Sequence, residues 1–271
     1  MYPLESFDEE AFNEDIDADD LNCTIINGNC FDVLPGLDVA VDAVISDPPF
    51  ACTNLEWDTQ IPLDQFWELM EAKTKPAANF ALFATMRFGV DLINSRRNFF
   101  RYDIVWSKNT KCGFLWSKHA VLRSHELILL FTRAGEFLKA TYNPQRTPGG
   151  RVDTTRRINR NPGGVYGRTN SCTTIRDGLI HPSSVLCFDS DRGNNKGILH
   201  PTQKPLALIE WLIQTYTNEG DTVLDPFMGS GTTALAAKRL NRKFIGIELD
   251  KTYYNVAHQR LAQARQHFSL F

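Results

Sequence analysis

With 271 residues, 42% hydrophobic and 23% charged, the chain has the size and composition of one large globular domain with an insertion, which excludes a small stapled scaffold. No apolar run approaches the roughly 18–20 residues of a membrane span, and the acidic opening does not fit a secretory or transit peptide, so a soluble cytoplasmic protein is expected. The net charge of -3 conceals an uneven distribution: residues 1–20 hold nine acids and no base, whereas residues 107–199 hold fifteen Lys and Arg against six Asp and Glu.

The opening arm has too little apolar content and too much like charge for a core of its own. From Cys23 onward, short β-branched runs alternate with amphipathic stretches, the pattern of β-α units around a largely parallel sheet. The expected strands are Cys23–Asn27, Val41–Ser46, Phe80–Ala84, Tyr102–Trp106, Glu126–Phe131, Thr222–Asp225 and Lys243–Glu248. The expected helices are Leu63–Lys73, Phe88–Asn98, Pro205–Thr217, Thr232–Leu240 and Thr252–Gln266. Between Tyr142 and Gly197 the alternation gives way to chain dense in Gly, Pro, Asn, Thr and Arg, expected to be irregular. A plain linker has no need of Arg151, Arg156, Arg157, Arg160, Arg168 and Arg176, which point instead to a polyanion. The six cysteines are scattered without zinc-ligand spacing, so no metal is expected.

Two loops carry the chemistry. Asp47-Pro48-Pro49-Phe50 comes directly after an apolar strand, and two prolines end a parallel ladder and stiffen the loop they begin. An acid, a backbone carbonyl and an aromatic face within four residues suit a planar base with an exocyclic amine: Asp47 and the Pro48 carbonyl accept its N–H groups and Phe50 stacks on its ring. The second loop, Asp225-Pro226-Phe227-Met228-Gly229-Ser230-Gly231-Thr232-Thr233, runs from a strand into a helix. Gly229 and Gly231 are expected to admit a ligand to the backbone at a helix N-terminus. Glu248, 17 residues beyond Gly231 at the end of the next strand, suits both hydroxyls of a ribose. Asp225 at the loop mouth suits an amino group better than a pyrophosphate, so the inferred ligand is a nucleoside bearing an amino acid. No Gly-Lys-Ser/Thr comes after the glycines, which excludes a P-loop. Thr202 and Lys204, in His200-Pro201-Thr202-Gln203-Lys204-Pro205, are candidates for the ligand's carboxylate. Asn29 and Cys30, after the first strand, are candidates for covering its adenine.

Together these motifs resemble the amino-methylating DNA methyltransferases that use S-adenosylmethionine, and their order resembles the family's beta arrangement. The resemblance covers about Cys23 to Gln266. It implies an α/β, Rossmann-like methyltransferase sheet with an inserted, irregular, basic target-recognition region. The corresponding parts are an acidic arm (1–20), a catalytic half (21–141), the insertion (142–198) and a cofactor-binding half (199–271). It further implies that the Asp225 and Asp47 strands lie side by side, that double-stranded DNA is the partner with a homodimer possible, and that restriction-modification is the setting. Methyl transfer to N6 of a flipped adenine is the implied reaction. Cytosine N4 is the close rival, although the family's cytosine members more often carry Ser where Asp47 stands. A dinucleotide dehydrogenase, favoured by Gly229-x-Gly231-x-x-Ala234, and a non-catalytic nucleic-acid-binding protein are more remote.

Overall fold

The computed structural model describes residues 22–50, 59–157, 172–190 and 203–268. The acidic arm, Arg160, Arg168 and Thr202 lie outside the described residues.

The first half of the chain runs β1 (Cys23–Asn27), α1 (Cys30–Val33), β2 (Val41–Ser46), α2 (Leu63–Lys73), β3 (Thr74–Ala84), α3 (Met86–Ser95), β4 (Phe100–Cys112) and β5 (Arg123–Thr132). The second half runs β6 (Thr147–Arg157), β7 (Cys172–Ile180), β8 (Val185–Cys187), α4 (Leu206–Tyr216), β9 (Thr222–Asp225), α5 (Thr232–Arg239), β10 (Lys243–Glu248) and α6 (Lys251–Phe268). Eight strands form one sheet in the order β1-β10-β9-β2-β3-β5-β4-β8. The pairs from β1 through β3 are parallel, and β5 runs antiparallel to both β3 and β4. The central strands are near-continuous apolar runs because helices cover both faces. On β3, Phe80 and Leu82 pack with Phe66, Trp67 and Met70 of α2, while Ala81 and Phe83 face Leu208, Leu212 and Ile213 of α4. Trp67 is the hub of the α2 side, with ring centroids 5.7 Å from Phe80 and 5.0 Å from Phe131.

The strand order reverses between β9 and β2, and this is where the sheet opens a crevice at the carboxyl ends of its strands. The expected neighbourhood of the Asp225 and Asp47 strands is thus present, with Ala43 opposite Val223 and Val44 opposite Leu224.

The segment expected to be irregular departs from that expectation. β6 and β7 form a separate antiparallel pair, and β8, within the 142–198 segment, joins the main sheet beside β4. Glycine and proline hid the hairpin, because they serve an interruption of its ladder between Pro148 and Val152. Gly149 and Gly178 adopt φ of 132° and 79° there, open to glycine at little cost. Among the described residues no helix is long and apolar enough to cross a membrane.

Candidate active site

At the end of β2 the Ser46 hydroxyl donates to Asp225 Oδ1 over 2.6 Å, a buried bond between residues 179 apart in the chain. Asp225 also accepts from the Thr233 hydroxyl on Oδ2 (2.7 Å) and from the Phe227 N–H on Oδ1 (3.2 Å). Burial pushes its carboxyl up to about 6, against the pull of these donors. With roughly four lone-pair sites on a carboxylate, three donors leave about one for a ligand. Asp225 is therefore first a brace between the two loops, a role its position in the sequence did not reveal.

Asp47 is engaged more strongly than expected. The Lys204 ammonium donates to Asp47 Oδ2 and lies 3.6 Å from Glu126 Oε2, while Lys108 donates to Glu126 Oε1. The result is an alternating chain of two cations and two carboxylates roofed by aromatic rings: Lys204 is 4.9 Å from the Phe83 centroid and Lys108 is 4.5 Å from that of Trp106. Burial raises Asp47, with Lys204 opposing. Burial also works to raise Glu126, but Lys204 and Lys108 outweigh it and hold the carboxyl below its ordinary value. The two carboxylates in turn keep Lys204 protonated despite its burial. Asp47 Oδ1 is buried without a hydrogen-bond partner among the described residues, an acceptor held ready. Lys204, expected at a ligand carboxylate, lines the cavity and donates to the catalytic loop. Pro48 is buried, while Pro49 and Phe50 are half-buried, with the Phe50 ring 5.4 Å from that of Phe88.

The two glycines of the second loop have different tasks. Gly229 has φ of 56° with open space where a Cβ would stand, and its N–H donates to Glu248 Oε2 (2.7 Å). Gly231 has φ of 79°, and a Cβ there would come within 2.8 Å of the Ala257 Cβ on α6. This close approach to α6 requires glycine here, between Ser230 and Thr232, which line the cavity. Glu248 Oε1 accepts from the Asp250 N–H (2.8 Å), and burial raises its carboxyl against these backbone donors. Arg260 of α6 donates to the Ser230 carbonyl (2.5 Å) and to the Thr232 hydroxyl (3.2 Å), holding the loop from behind.

The two loops and the ionic chain border one cavity of about 610 Å³. Its lining includes Asn29, Cys30, Asp47, Pro48, Pro49, Phe50, Lys204, Asp225, Phe227, Gly229, Ser230, Thr232, Thr233 and Glu248. The Asn29 side-chain carbonyl caps α1 by accepting the Phe31 N–H (3.0 Å), which fixes its orientation. Burial pushes the Cys30 thiol up to about 12 and keeps it neutral. Volume, an open glycine backbone, a carboxylate at the strand end and an acidic loop mouth fit a nucleoside carrying an amino acid. Sequence reasoning missed Ser46, Lys108, Glu126 and Arg260. A lone acid opening the apolar run Glu126–Phe131 was the available signal for Glu126. Of the six arginines, Arg151 is exposed on β6, Arg156 and Arg157 also fall on β6, and Arg176 falls on β7. Among the described residues no cluster of His, Cys, Asp and Glu is suited to a metal.

Residues 41–259 match the N6/N4 family described as DNA methylase. The chain is 30% identical over 263 residues to the type II methyltransferase M.BglII of Bacillus subtilis, covering 88% of this chain and 68% of that protein. It is 28% identical to the type II methyltransferase M1.MboII of Moraxella bovis, with 87% and 95% covered. Among solved structures, the M1.HpyAVI-SAM complex superposes with a TM-score of 0.59 at 28% identity, over 88% of this chain and 98% of that one.

Proposed function

The chain belongs to the N6/N4 DNA methylase family and is a DNA methyltransferase; from that premise we propose that it methylates N6 of adenine in double-stranded DNA, with the base flipped out of the duplex. The observation that carries the reading is the Ser46–Asp225 bond between adjacent strands, which brings the Asp47 loop and the Gly229 loop to one cavity. When bound, S-adenosylmethionine supplies an electrophilic methyl group. Gly229, Ser230, Thr232 and Thr233 would hold its amino-acid end with the remaining acceptor of Asp225. Glu248 would take the ribose, and Asn29, Cys30 and Phe227 would border the adenine.

The target nitrogen is a poor nucleophile because its lone pair is delocalised into the ring. Asp47 Oδ1, buried and without a partner among the described residues, and the Pro48 carbonyl accept the two N–H groups and turn the lone pair out of conjugation. Lys204 holds Asp47 in place, and the raised basicity of Asp47 suits it to take the surplus proton of the methylated amine. Phe50 stacks on the base and offsets part of the unstacking cost of a few kcal/mol. Arg151, Arg156, Arg157, Arg160, Arg168 and Arg176 would meet phosphates and base edges, with target recognition assigned to 142–198 between the catalytic and cofactor-binding halves.

The test is expression in a methylation-free host, then deep sequencing of DNA methylation and chromatography of the digested DNA. N6-methyladenine at one sequence is expected. N4-methylcytosine would keep the chemistry and overturn the base, and unmodified DNA would overturn the reading.

A further inference from the structure

The turn that joins β4 to β5, residues 113–122, leaves the sheet at the same carboxyl edge as the catalytic loop, because β5 runs antiparallel to β3 and its Arg123–Glu126 end lies beyond the Leu127–Ala84 pair at the end of β3. Thr110 and Cys112, which lead into it, line the active cavity. The turn displays Leu115 and Val121 at 96% exposure and Phe114 and Trp116 at 66%. Exposed apolar groups this concentrated mark an interaction surface. The turn is also internally braced: Trp116 N–H donates to the Gly113 carbonyl (2.9 Å), and His119 and Ala120 N–H donate to that of Trp116 (2.8 and 2.9 Å). Lys111, Lys118 and Arg123 flank the tip in the chain, and no acid occurs between Lys108 and Glu126.

We propose that the Phe114–Trp116 tip is a wedge that enters the DNA base stack beside the target, while Lys111, Lys118 and Arg123 engage the flanking phosphates. The inference rests on the base-flipping reading above. A rigid apolar tip ringed by cations fits the stack and charge of a duplex, since side chains that enter a base step replace lost stacking and the cations anchor them. A two-fold interface between copies would bring this patch onto itself and set its cations against one another.

The test compares the parent with the double variant Leu115→Ser, Trp116→Ser on duplexes bearing the target mapped by methylation sequencing. In one duplex the target is matched, and in the other it sits opposite a mismatch that makes extrusion cheap. The variant should bind S-adenosylmethionine as the parent does, lose about tenfold or more in methyl transfer on the matched duplex, and recover to within about threefold of the parent on the mismatched one. Lys118→Ala should raise KM equally on both duplexes and flatten the salt dependence of binding. Equal loss on both duplexes, or no loss on either, overturns the wedge. So does a parent dimer that becomes monomeric in the variant with the ratio between duplexes unchanged. A parent inactive on both duplexes would overturn the methylation reading itself, and the wedge with it.

Discussion

Replacing Asp47 with alanine separates catalysis from binding. The substitution removes the acceptor whose Oδ1 is buried and unpartnered among the described residues, together with the partner of Lys204. A hydrogen bond to a charged group contributes about 1.5–3 kcal/mol, which at 1.36 kcal/mol per decade is about 10- to 150-fold in rate. Loss of the orientation of the amine should bring the deficit in kcat to about 10²–10³-fold. The fold should tolerate the change. Lys204 lies 3.6 Å from Glu126 and closes on it, so its charge is not stranded, and the desolvation that raises Asp47 is relieved. The expected loss of stability is thus below the roughly 3–5 kcal/mol incurred when a buried charge loses its only partner. The assay is single-turnover methyl transfer to the mapped target, with calorimetry for the cofactor and a salt titration for DNA. Cofactor and DNA affinities within about threefold of the parent are expected. A rate within about tenfold of the parent, a deficit of only ~1.4 kcal/mol, would refute the assignment.

Asp225, pushed up to about 6, must ionise to meet an amino group, so affinity for S-adenosylmethionine should rise with pH through about 6, and calorimetry of Asp225→Asn should show a flat, weaker profile. The sign for stability is opposite: the contribution of the protonated group is fully present below its usual 3.8 and is lost as pH rises through about 6, so denaturation midpoints of the variant should vary less across that window. Lys204→Met leaves Asp47 and Glu126 without their shared cation and should move the acid limb of the kcat profile upward by about one pH unit or more; an unmoved limb would mean that Lys204 serves the cofactor instead. Gly231→Ala should lower the melting temperature, since left-handed backbone costs a residue with a Cβ about 1–2 kcal/mol before the 2.8 Å approach to Ala257 is relieved. Gly229→Ala carries the same backbone cost without the approach and should chiefly weaken cofactor binding in a thermal-shift titration. Self-association remains a proposal, checked by sedimentation at micromolar concentration with and without DNA.

Local patterning made much of the site legible. The run Val41–Ser46 ahead of two prolines and the run Thr222–Asp225 ahead of glycines define β2 and β9 to the residue. β4 and β5 run longer than expected because their ends, Ser107–Cys112 and Arg123–His125, are polar ladder without an apolar face to mark it. The β6–β7 hairpin escaped for the opposite reason: its glycines read as loop when they serve the break in its ladder. Residues whose roles arise only from tertiary neighbours were out of reach. Lys204 next to a helix start looked like an anion ligand, and only the fold brings it to Asp47, 157 residues away in sequence. Glu126 likewise acquires its role from Lys108 on the neighbouring strand and from Lys204, and Ser46 from Asp225, 179 residues away.

The adjacency of β2 and β9 also bears on how the protein is made. Synthesis adds about 5–20 residues per second, so a chain that has finished β2 waits on the order of 10 s or more for β9 to emerge. β3 covers one edge of β2 meanwhile, but the other edge, flanked by Ala43, Val44 and Ile45, has its native neighbour only once Thr222–Asp225 has been synthesised. An open apolar edge of this kind is a template for pairing with other chains. Nascent chains halted before Thr222 should therefore be captured by chaperones or aggregate, and fragments ending there should be insoluble even though they contain the whole catalytic loop.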